Sequence, residues 1–251
     1  MLTMGGMSAV FFSDVHLRDG ESEKTQRVLR FLRETASRFE RIYILGDFFD
    51  VWPGTNPYLV RRFAPVLDQL NTLVKSGHRV SFFEGNHDFH LGKHFRDMKI
   101  EVIPNSHVEE MGGRRVYMAH GDLGNPKELG YRVLRRALRS APLHAVMKFV
   151  PGKLIFDVGL KSSQASRGYQ QRFPEKENAI RETYRETAKG LFHQGLDVVL
   201  MGHTHLPDDY TISLDKRDCR YINIGDWVRS FTYLEFDGKD FYTKSYDGIG
   251  F

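Results

Sequence analysis

Five short apolar runs, each followed within two residues by Asp, Asn or His, limit most strongly how this chain can fold. The runs lie at 9–13, 41–45, 79–84, 115–119 and 197–201, and their length and β-branched or aromatic content predict buried strands. Apolar residues recur at helical spacing between the first three runs, at 28–39 and at 59–74. This β-α-β-α-β order predicts a parallel sheet and an α/β fold.

The polar residues after the runs form five motifs. They are Asp14-Val-His16, Gly46-Asp47-Phe-Phe-Asp50, Gly85-Asn86-His87-Asp88, His120-Gly121-Asp122 and Gly202-His203-Thr204-His205. Because the carboxyl ends of parallel strands meet at one edge of a sheet, we expect these side chains to converge there.

The residue types in the motifs predict a site for two metal ions. Phosphoryl chemistry uses two cations roughly 3.5–4 Å apart, and a shared carboxylate holds such a pair together. We expect Asp47 to be shared, with the remaining ligands divided between one ion (Asp14, His16, His205) and the other (Asn86, His120, His203). Nitrogen and oxygen ligands without a thiolate suit Mn²⁺, our first choice, or Fe²⁺ or Zn²⁺ better than Ca²⁺.

The remaining segments differ in character. Beyond residue 201, alternating segments at 210–214, 219–224, 230–236 and 241–246 predict antiparallel sheet. The stretch 127–172 combines ten basic and two acidic residues, a local charge of +8 against +4 for the whole chain, with many apolar residues. We interpret 126–172 as a helical insertion within a single domain spanning 8–251.

The lone cysteine, Cys219, has no partner for an internal disulfide, which favours a reducing, cytoplasmic setting. No run approaches the roughly 18 apolar residues of a membrane-spanning helix, so we expect any membrane association to be peripheral.

The order of the five motifs resembles the calcineurin-like metallophosphoesterase superfamily over 11–205. The resemblance implies a four-layer α-β-β-α sandwich with a two-metal site at the strand ends. It also implies that His87, paired with Asp88, protonates the leaving group or binds a phosphoryl oxygen. We therefore expect His87 and Asp88 to be catalytic, with Asp88 orienting His87 and Asp122 fixing His120.

A closer resemblance is to the UDP-2,3-diacylglucosamine diphosphatases of lipid A biosynthesis. It depends on the segment GDFFDVW at 46–52, on Tyr131, on the insertion, and on INIGDW ending at Trp227. It implies hydrolysis of a pyrophosphate to UMP and a diacylated sugar 1-phosphate (lipid X) by a protein bound peripherally to the inner face of the cytoplasmic membrane. The implied substrate contacts are Tyr131, Lys161, Ser162, Ser163, Ser166 and Arg167.

One departure leaves other functions open. In those diphosphatases the third motif resembles GNRD, whereas this chain has GNHD, with His87 in the third position. A histidine there keeps open a phosphodiesterase or phosphatase acting on a soluble ester. A metal-free binding scaffold is a second alternative. Processing of nucleic acid ranks last, because the basic insertion has no interleaved aromatic reading surface. The insertion itself could be an ordinary amphipathic cap that packs its apolar residues on the sandwich.

Overall fold

The computed structural model describes residues 7–171 and 176–246, without the side chains of 165–171. Within these ranges eleven strands are present: β1 (Ala9–Phe12), β2 (Arg41–Ile44), β3 (Arg79–Phe83), β4 (Glu101–Ile103), β5 (Ser106–Met111), β6 (Arg114–Ala119), β7 (Val198–Met201), β8 (Asp208–Leu214), β9 (Arg217–Asn223), β10 (Thr232–Phe236) and β11 (Phe241–Ser245). The α-helices are α1 (Glu23–Glu34), α2 (Pro57–Arg62), α3 (Ala64–Lys75), α4 (Gly92–Asp97), α5 (Leu129–Leu138), α6 (Ala141–Met147), α7 (Gly152–Gln171) and α8 (Glu177–Phe192).

The strands form two sheets that share one polar edge. The first has the order β11-β10-β1-β2-β3-β4 and the second the order β5-β6-β7-β9-β8. Strands β1 to β4 are parallel to one another, as are β6, β7 and β9. The carboxyl ends of β1, β2 and β3 therefore meet those of β6 and β7, and all five motifs follow these ends.

Four layers stack in the order that the family resemblance implied. Helices α1 and α3 cover the first sheet, with Val28 and Leu70 in one apolar cluster with Val10. Phe11 belongs to the cluster between the two sheets. Helix α8 covers the second sheet through Phe192. The expected α/β four-layer sandwich is confirmed.

The antiparallel pairing expected after residue 201 is present, between β8 and β9 and between β10 and β11. The two pairs lie in different sheets: β8 and β9 join the second sheet, where β9 is also parallel to β7, while β10 and β11 extend the first. Alternation identifies a strand but not its partner. The helix expected over 59–74 is broken at Phe63, because Pro65 stands in the first turn of α3.

The helices α5, α6 and α7, which we call the insertion helices, stand apart from the four layers. No residue of α5 or α6 is buried. Helix α7 packs against the body through buried Phe156 and Ser163, and at Gly159 an added Cβ would lie 2.5 Å from Val51 Cγ1. Among the described residues, no helix is both long and apolar enough to cross a membrane.

Candidate metal centre

The first of two side-chain clusters combines ligands from both sheets. His16 Nε2 lies 3.2 Å from His205 Nε2, and Asp14 Oδ1 lies 3.5 Å from His205 Nε2 and 3.9 Å from His16 Nε2. Asp14 and His16 are almost completely buried. These are the three residues expected to hold one ion, and the structure brings them together with Asp47.

The second cluster is built around Asn86. Its Oδ1 lies 3.0 Å from His120 Nε2 and 2.8 Å from His203 Nδ1. Asp47 Oδ2 lies 3.4 Å from His120 Nε2. The three residues expected to hold the other ion are thus also together.

Asp47 stands between the two clusters. Its Oδ2 lies 3.8 Å from His16 Nε2 as well as near His120, so this oxygen faces both clusters. The other oxygen, Oδ1, accepts a hydrogen bond from the backbone N–H of His87 at 2.8 Å, which fixes the orientation of the carboxylate. This geometry is that of a bridging ligand.

The clusters fit divalent cations on chemical grounds. Asp14 Oδ1 is buried without a hydrogen-bond partner, although an unpaired buried carboxylate oxygen is costly. Oxygen and imidazole nitrogen within about 4 Å of one another match the donor set of Mn²⁺, Fe²⁺ and Zn²⁺. The residues present could hold two such ions.

The backbone at the centre is strained. Five non-glycine ligands have left-handed φ angles: Asp14 at 54°, His16 at 51°, Asp47 at 53°, His203 at 69° and His205 at 59°. Such conformations are uncommon for residues with a Cβ and persist only where the surroundings enforce them. Enforcing bonds run between the loops, from Asp14 N to Gly46 O at 3.1 Å and from His16 N to Asp47 O at 2.9 Å.

Backbone and carboxylate acceptors fix two of the histidine rings. His120 Nδ1 donates to Leu45 O at 2.8 Å, and His205 Nδ1 donates to Asp226 Oδ2 at 3.1 Å. Each bond places the ring proton on Nδ1 and leaves Nε2 free to bind a cation. We did not expect Asp226 to take part, although it lies in the INIGDW segment that supported the resemblance.

The pKa values describe the centre before any cation binds. Burial lowers the pKa of His16 to about 3 and that of His203 to about 4, so both are neutral at pH 7, the form that binds metals. Burial alone would also lower the pKa of His120, but the charge of Asp47 raises it to about 10. His120 must therefore lose a proton when a metal binds.

Asp88 does not have the expected role. Its Oδ1 accepts from Asp47 N at 2.8 Å and its Oδ2 from Phe48 N at 2.7 Å, so this buried carboxylate holds the loop that carries Asp47. The expectation that it orients His87 was wrong, because the backbone amides occupy both of its oxygens. His87 Nδ1 instead donates to Asp50 O at 3.0 Å, and His87 Nε2 lies 3.9 Å from Asp47 Oδ2.

Asp122 also differs from expectation. It does not fix His120, whose Nδ1 bonds to Leu45. Asp122 Oδ2 accepts from Tyr131 Oη at 2.6 Å and from Arg135 Nε at 2.5 Å. Burial alone would raise the pKa of Asp122, but the charges of His120 and Arg135 lower it. Asp122 thus ties helix α5 to the end of β6.

The structure separates the expected substrate contacts on the insertion. The Tyr131 ring lies near the centre, 6.4 Å from the His203 ring. Ser163 is buried and donates to Asp50 Oδ1 at 2.7 Å, so its hydroxyl supports Asp50 and does not face a substrate. Lys161 and Ser162 are exposed on α7. The side chains of Ser166 and Arg167 lie outside the described residues.

A second unexpected residue, Arg139, connects the insertion to the segment that precedes the candidate ligand Asn86. Arg139 Nη1 donates to Glu84 Oε2 at 2.9 Å, and Nη2 donates to Gly85 O at 2.8 Å. These bonds attach the end of α5 beside Asn86. From the sequence we expected the basic residues of the insertion to contact substrate or membrane. Nothing in the sequence indicated that Arg139 binds partners within the protein.

Known proteins resemble this chain over most of its length. The model of the family "Calcineurin-like phosphoesterase" matches residues 7–207. A protein named UDP-2,3-diacylglucosamine hydrolase from Stenotrophomonas maltophilia is 32% identical over 237 residues, which are 92% of this chain and 95% of that protein. One of the same name from Pseudomonas aeruginosa is 32% identical over 234 residues, 93% of this chain and 96% of that protein.

Among solved structures, Vacuolar Protein Sorting 29 from Cryptosporidium parvum aligns with 95% of this chain and 97% of its own, at 12% identity and a TM-score of 0.43. The family match spans most of the chain and includes every candidate metal ligand. This chain is a hydrolytic enzyme and belongs to the calcineurin-like phosphoesterase family.

Proposed function

We propose that the enzyme hydrolyses the pyrophosphate of UDP-2,3-diacylglucosamine to UMP and 2,3-diacylglucosamine 1-phosphate. Two observations support this substrate: the names of relatives that align over more than nine-tenths of the chain, and the surface of the insertion helices. The second carries the proposal, because it belongs to this chain.

The insertion exposes an unusual amount of apolar side chain. Of the ten large hydrophobic residues that are exposed among the described residues, seven lie between 129 and 158: Leu129, Val133, Leu134, Val146, Phe149, Leu154 and Val158. Phe149 is 89% exposed. An ordinary amphipathic cap would bury such residues against the body, so this arrangement favours an acyl-chain ligand and a lipid surface.

The chemistry assigned to the centre follows from the ligand set. Two divalent cations, which we propose to be Mn²⁺, would be held by Asp14, His16, Asp47 and His205 and by Asp47, Asn86, His120 and His203. Bound there, they would supply Lewis acidity and a nucleophilic water to an in-line displacement at phosphorus.

His87 is the remaining group beside the bridging oxygen. Its Nδ1 donates to the Asp50 carbonyl, which fixes the ring so that Nε2 can contact a phosphoryl oxygen. A sugar phosphate leaves a pyrophosphate as a stable anion, so a donor that stabilises charge suffices. We propose Tyr131, Lys161 and Ser162 as substrate contacts of the insertion.

The same surface suggests where the enzyme works. Basic residues interspersed with exposed apolar ones suit the anionic inner face of a cytoplasmic membrane, where a doubly acylated substrate resides. We propose peripheral contact at that face, with the insertion helices toward the lipid.

His87 favours one alternative, the hydrolysis of a soluble phosphodiester or phosphomonoester. An alkoxide leaving group needs a proton, and a histidine can supply it. The alternative predicts comparable turnover of water-soluble esters.

The decisive assay measures UMP release from UDP-2,3-diacylglucosamine by metal-loaded protein, beside hydrolysis of a soluble diester. Robust UMP release with weak diester cleavage supports the proposal. Efficient diester cleavage without UMP release refutes the lipid substrate and leaves the metal centre in place.

A further inference from the structure

A cavity of about 660 Å³ opens beside the first metal cluster. One wall is the segment from His16 to Arg27, another is Gln164 of helix α7, and the third is the loop that contains Trp227 and Phe231. Its volume is within the range of about 300–1,000 Å³ that is usual for small-molecule sites. Because His16 is both a candidate metal ligand and a lining residue, whatever occupies the cavity adjoins the reacting phosphorus.

The lining is unsuited to an acyl chain. Arg18, Lys24 and Arg27 line the cavity together with two carboxylates, and an alkyl chain would desolvate these charges without pairing them. The carboxylates have local partners: Asp19 Oδ1 accepts from Ser22 N at 2.6 Å, and Glu23 Oε1 lies 3.8 Å from Arg27 Nη2. The cavity therefore favours an anion.

Two of the three cations have contacts beside His16, whereas Arg27 contacts Phe231. Lys24 Nζ lies 3.5 Å from His16 O. Arg18, two residues after His16, donates from Nε to the buried Asp50 Oδ2 at 2.8 Å. Arg27 is one helical turn beyond Lys24 on α1, so the two share a face of the helix. Arg18 and Lys24 thus belong to the metal end and Arg27 to the far end.

The far end has a planar aromatic wall. The Arg27 guanidinium lies 4.2 Å from the centroid of the Phe231 ring. Phe231 has a φ of 49°, an outlier for a bulky residue, and its carbonyl accepts from Tyr246 N at 2.9 Å. A stacked guanidinium and ring form a surface on which a nucleobase can lie.

We infer that this cavity holds the nucleoside monophosphate half of the substrate, with the phosphate at the Arg18 and Lys24 end and the base against Arg27 and Phe231. The inference rests on the proposed function and divides the substrate between two surfaces. The charged cavity takes the nucleotide, and the exposed apolar residues of the insertion take the acyl chains.

The test is equilibrium binding of UMP to metal-loaded protein by calorimetry, which needs no turnover. Removing one charged contact from a bound nucleotide should weaken UMP binding about tenfold in Arg27→Ala. Arg33→Ala is the matched control, because Arg33 is an exposed arginine of the same helix outside the cavity, and it should bind UMP as the wild type does. Arg27→Lys, which keeps the charge and loses the plane, should fall between them.

Titration with uridine separates the contribution of the base to binding from that of the phosphate. Because it lacks the phosphate, uridine should bind more weakly than UMP and should still lose affinity in Arg27→Ala. Inorganic phosphate, which would bind only near the metals, should be unaffected by that substitution. Circular dichroism and thermal melting confirm that the variants are folded.

Two results would overturn the inference: wild-type protein that does not bind UMP at millimolar concentration, or an Arg27→Ala variant with wild-type affinity. Either can occur while UDP-2,3-diacylglucosamine is still cleaved, in which case the proposed function stands without this cavity. The opposite result is also possible: the protein binds UMP through Arg27 but does not cleave the lipid. The nucleotide site would then stand, and the lipid substrate would be rejected.

Discussion

Replacing Asp226 by Asn should weaken metal binding although Asp226 is not expected to touch a metal. One of its oxygens, Oδ1, accepts from the backbone N–H groups of Arg229 at 2.8 Å and Ser230 at 3.0 Å. An asparagine must keep its oxygen there, so its NH₂ group faces His205 Nδ1, which is 3.1 Å from the present Oδ2. Two donors then oppose each other.

The conflict is relieved if His205 moves its proton from Nδ1 to Nε2. His205 Nε2 is the atom that lies 3.5 Å from Asp14 Oδ1, and once protonated it cannot bind a cation. Losing such a partner typically costs 10- to 100-fold in metal affinity, which corresponds to about 1.4–2.8 kcal/mol. The loop bonds to Oδ1 remain, so the fold should persist.

The assay is competitive titration of metal-free protein with Mn²⁺ or Zn²⁺, with thermal melting as the folding control. Asp237→Asn is the matched substitution, because Asp237 also accepts backbone amides in a loop, from Lys239 and Asp240 at 2.8 Å each, and belongs to neither metal cluster. We expect wild-type metal affinity in Asp237→Asn. Unchanged affinity in Asp226→Asn would refute the tautomer argument.

Three further outcomes are expected. Asp47→Ala should reduce turnover more than roughly 100-fold, the loss typical when a hydrogen-bond partner of a metal ligand is removed, because here both clusters lose a ligand. A folded variant with normal UMP release would contradict the bridging role. Gly159→Ala should lower stability by about 1–3 kcal/mol in thermal melts, since the new Cβ meets Val51, whereas Gly190→Ala on α8, with nothing within 4 Å, should be neutral or stabilising. Phe149→Ser should weaken binding to anionic phospholipid vesicles roughly tenfold or more without changing hydrolysis of a soluble diester, and Tyr242→Ser, which removes a 46% exposed aromatic residue from β11, should leave vesicle binding unchanged.

The parts of the site that are local in sequence could be predicted. A run of apolar residues followed by Asp-Val-His indicates both a strand and the edge where it ends. The two sheets pack with these edges together, which brings Asp14 to His205 across 191 positions. The expected grouping of the ligands needed only the identity of the residues and the order of the motifs.

The partners of those ligands could not be predicted, since a hydrogen bond depends on which atom a loop presents. Asp88 appeared suited to orient its neighbour His87, yet its carboxylate points to the amides of 47–49. Leu45 contributes a carbonyl to His120, and a backbone carbonyl has no sequence signature. The same reasoning applies to β9 and β10, whose alternation is compatible with either sheet.

The candidate metal ligands come from both sheets, and this affects how the molecule unfolds. Asp14, His16, Asp47 and Asn86 follow strands of the first sheet, whereas His120, His203 and His205 follow strands of the second. Each cation would therefore be a cross-link between the two sheets. In metal-free protein the apolar layer between the sheets would still resist their separation, together with hydrogen bonds such as those from His120 Nδ1 to Leu45 O and from His203 N to Asp14 Oδ2.

Such a cross-link would make the metal supply a determinant of the protein's lifetime. At a free metal concentration of 1,000 times the dissociation constant, one site adds about 4.1 kcal/mol to the free energy of unfolding. In a metal-starved cell the polar edge of the sandwich would open first, and the enzyme would be lost to proteolysis as well as to inactivity.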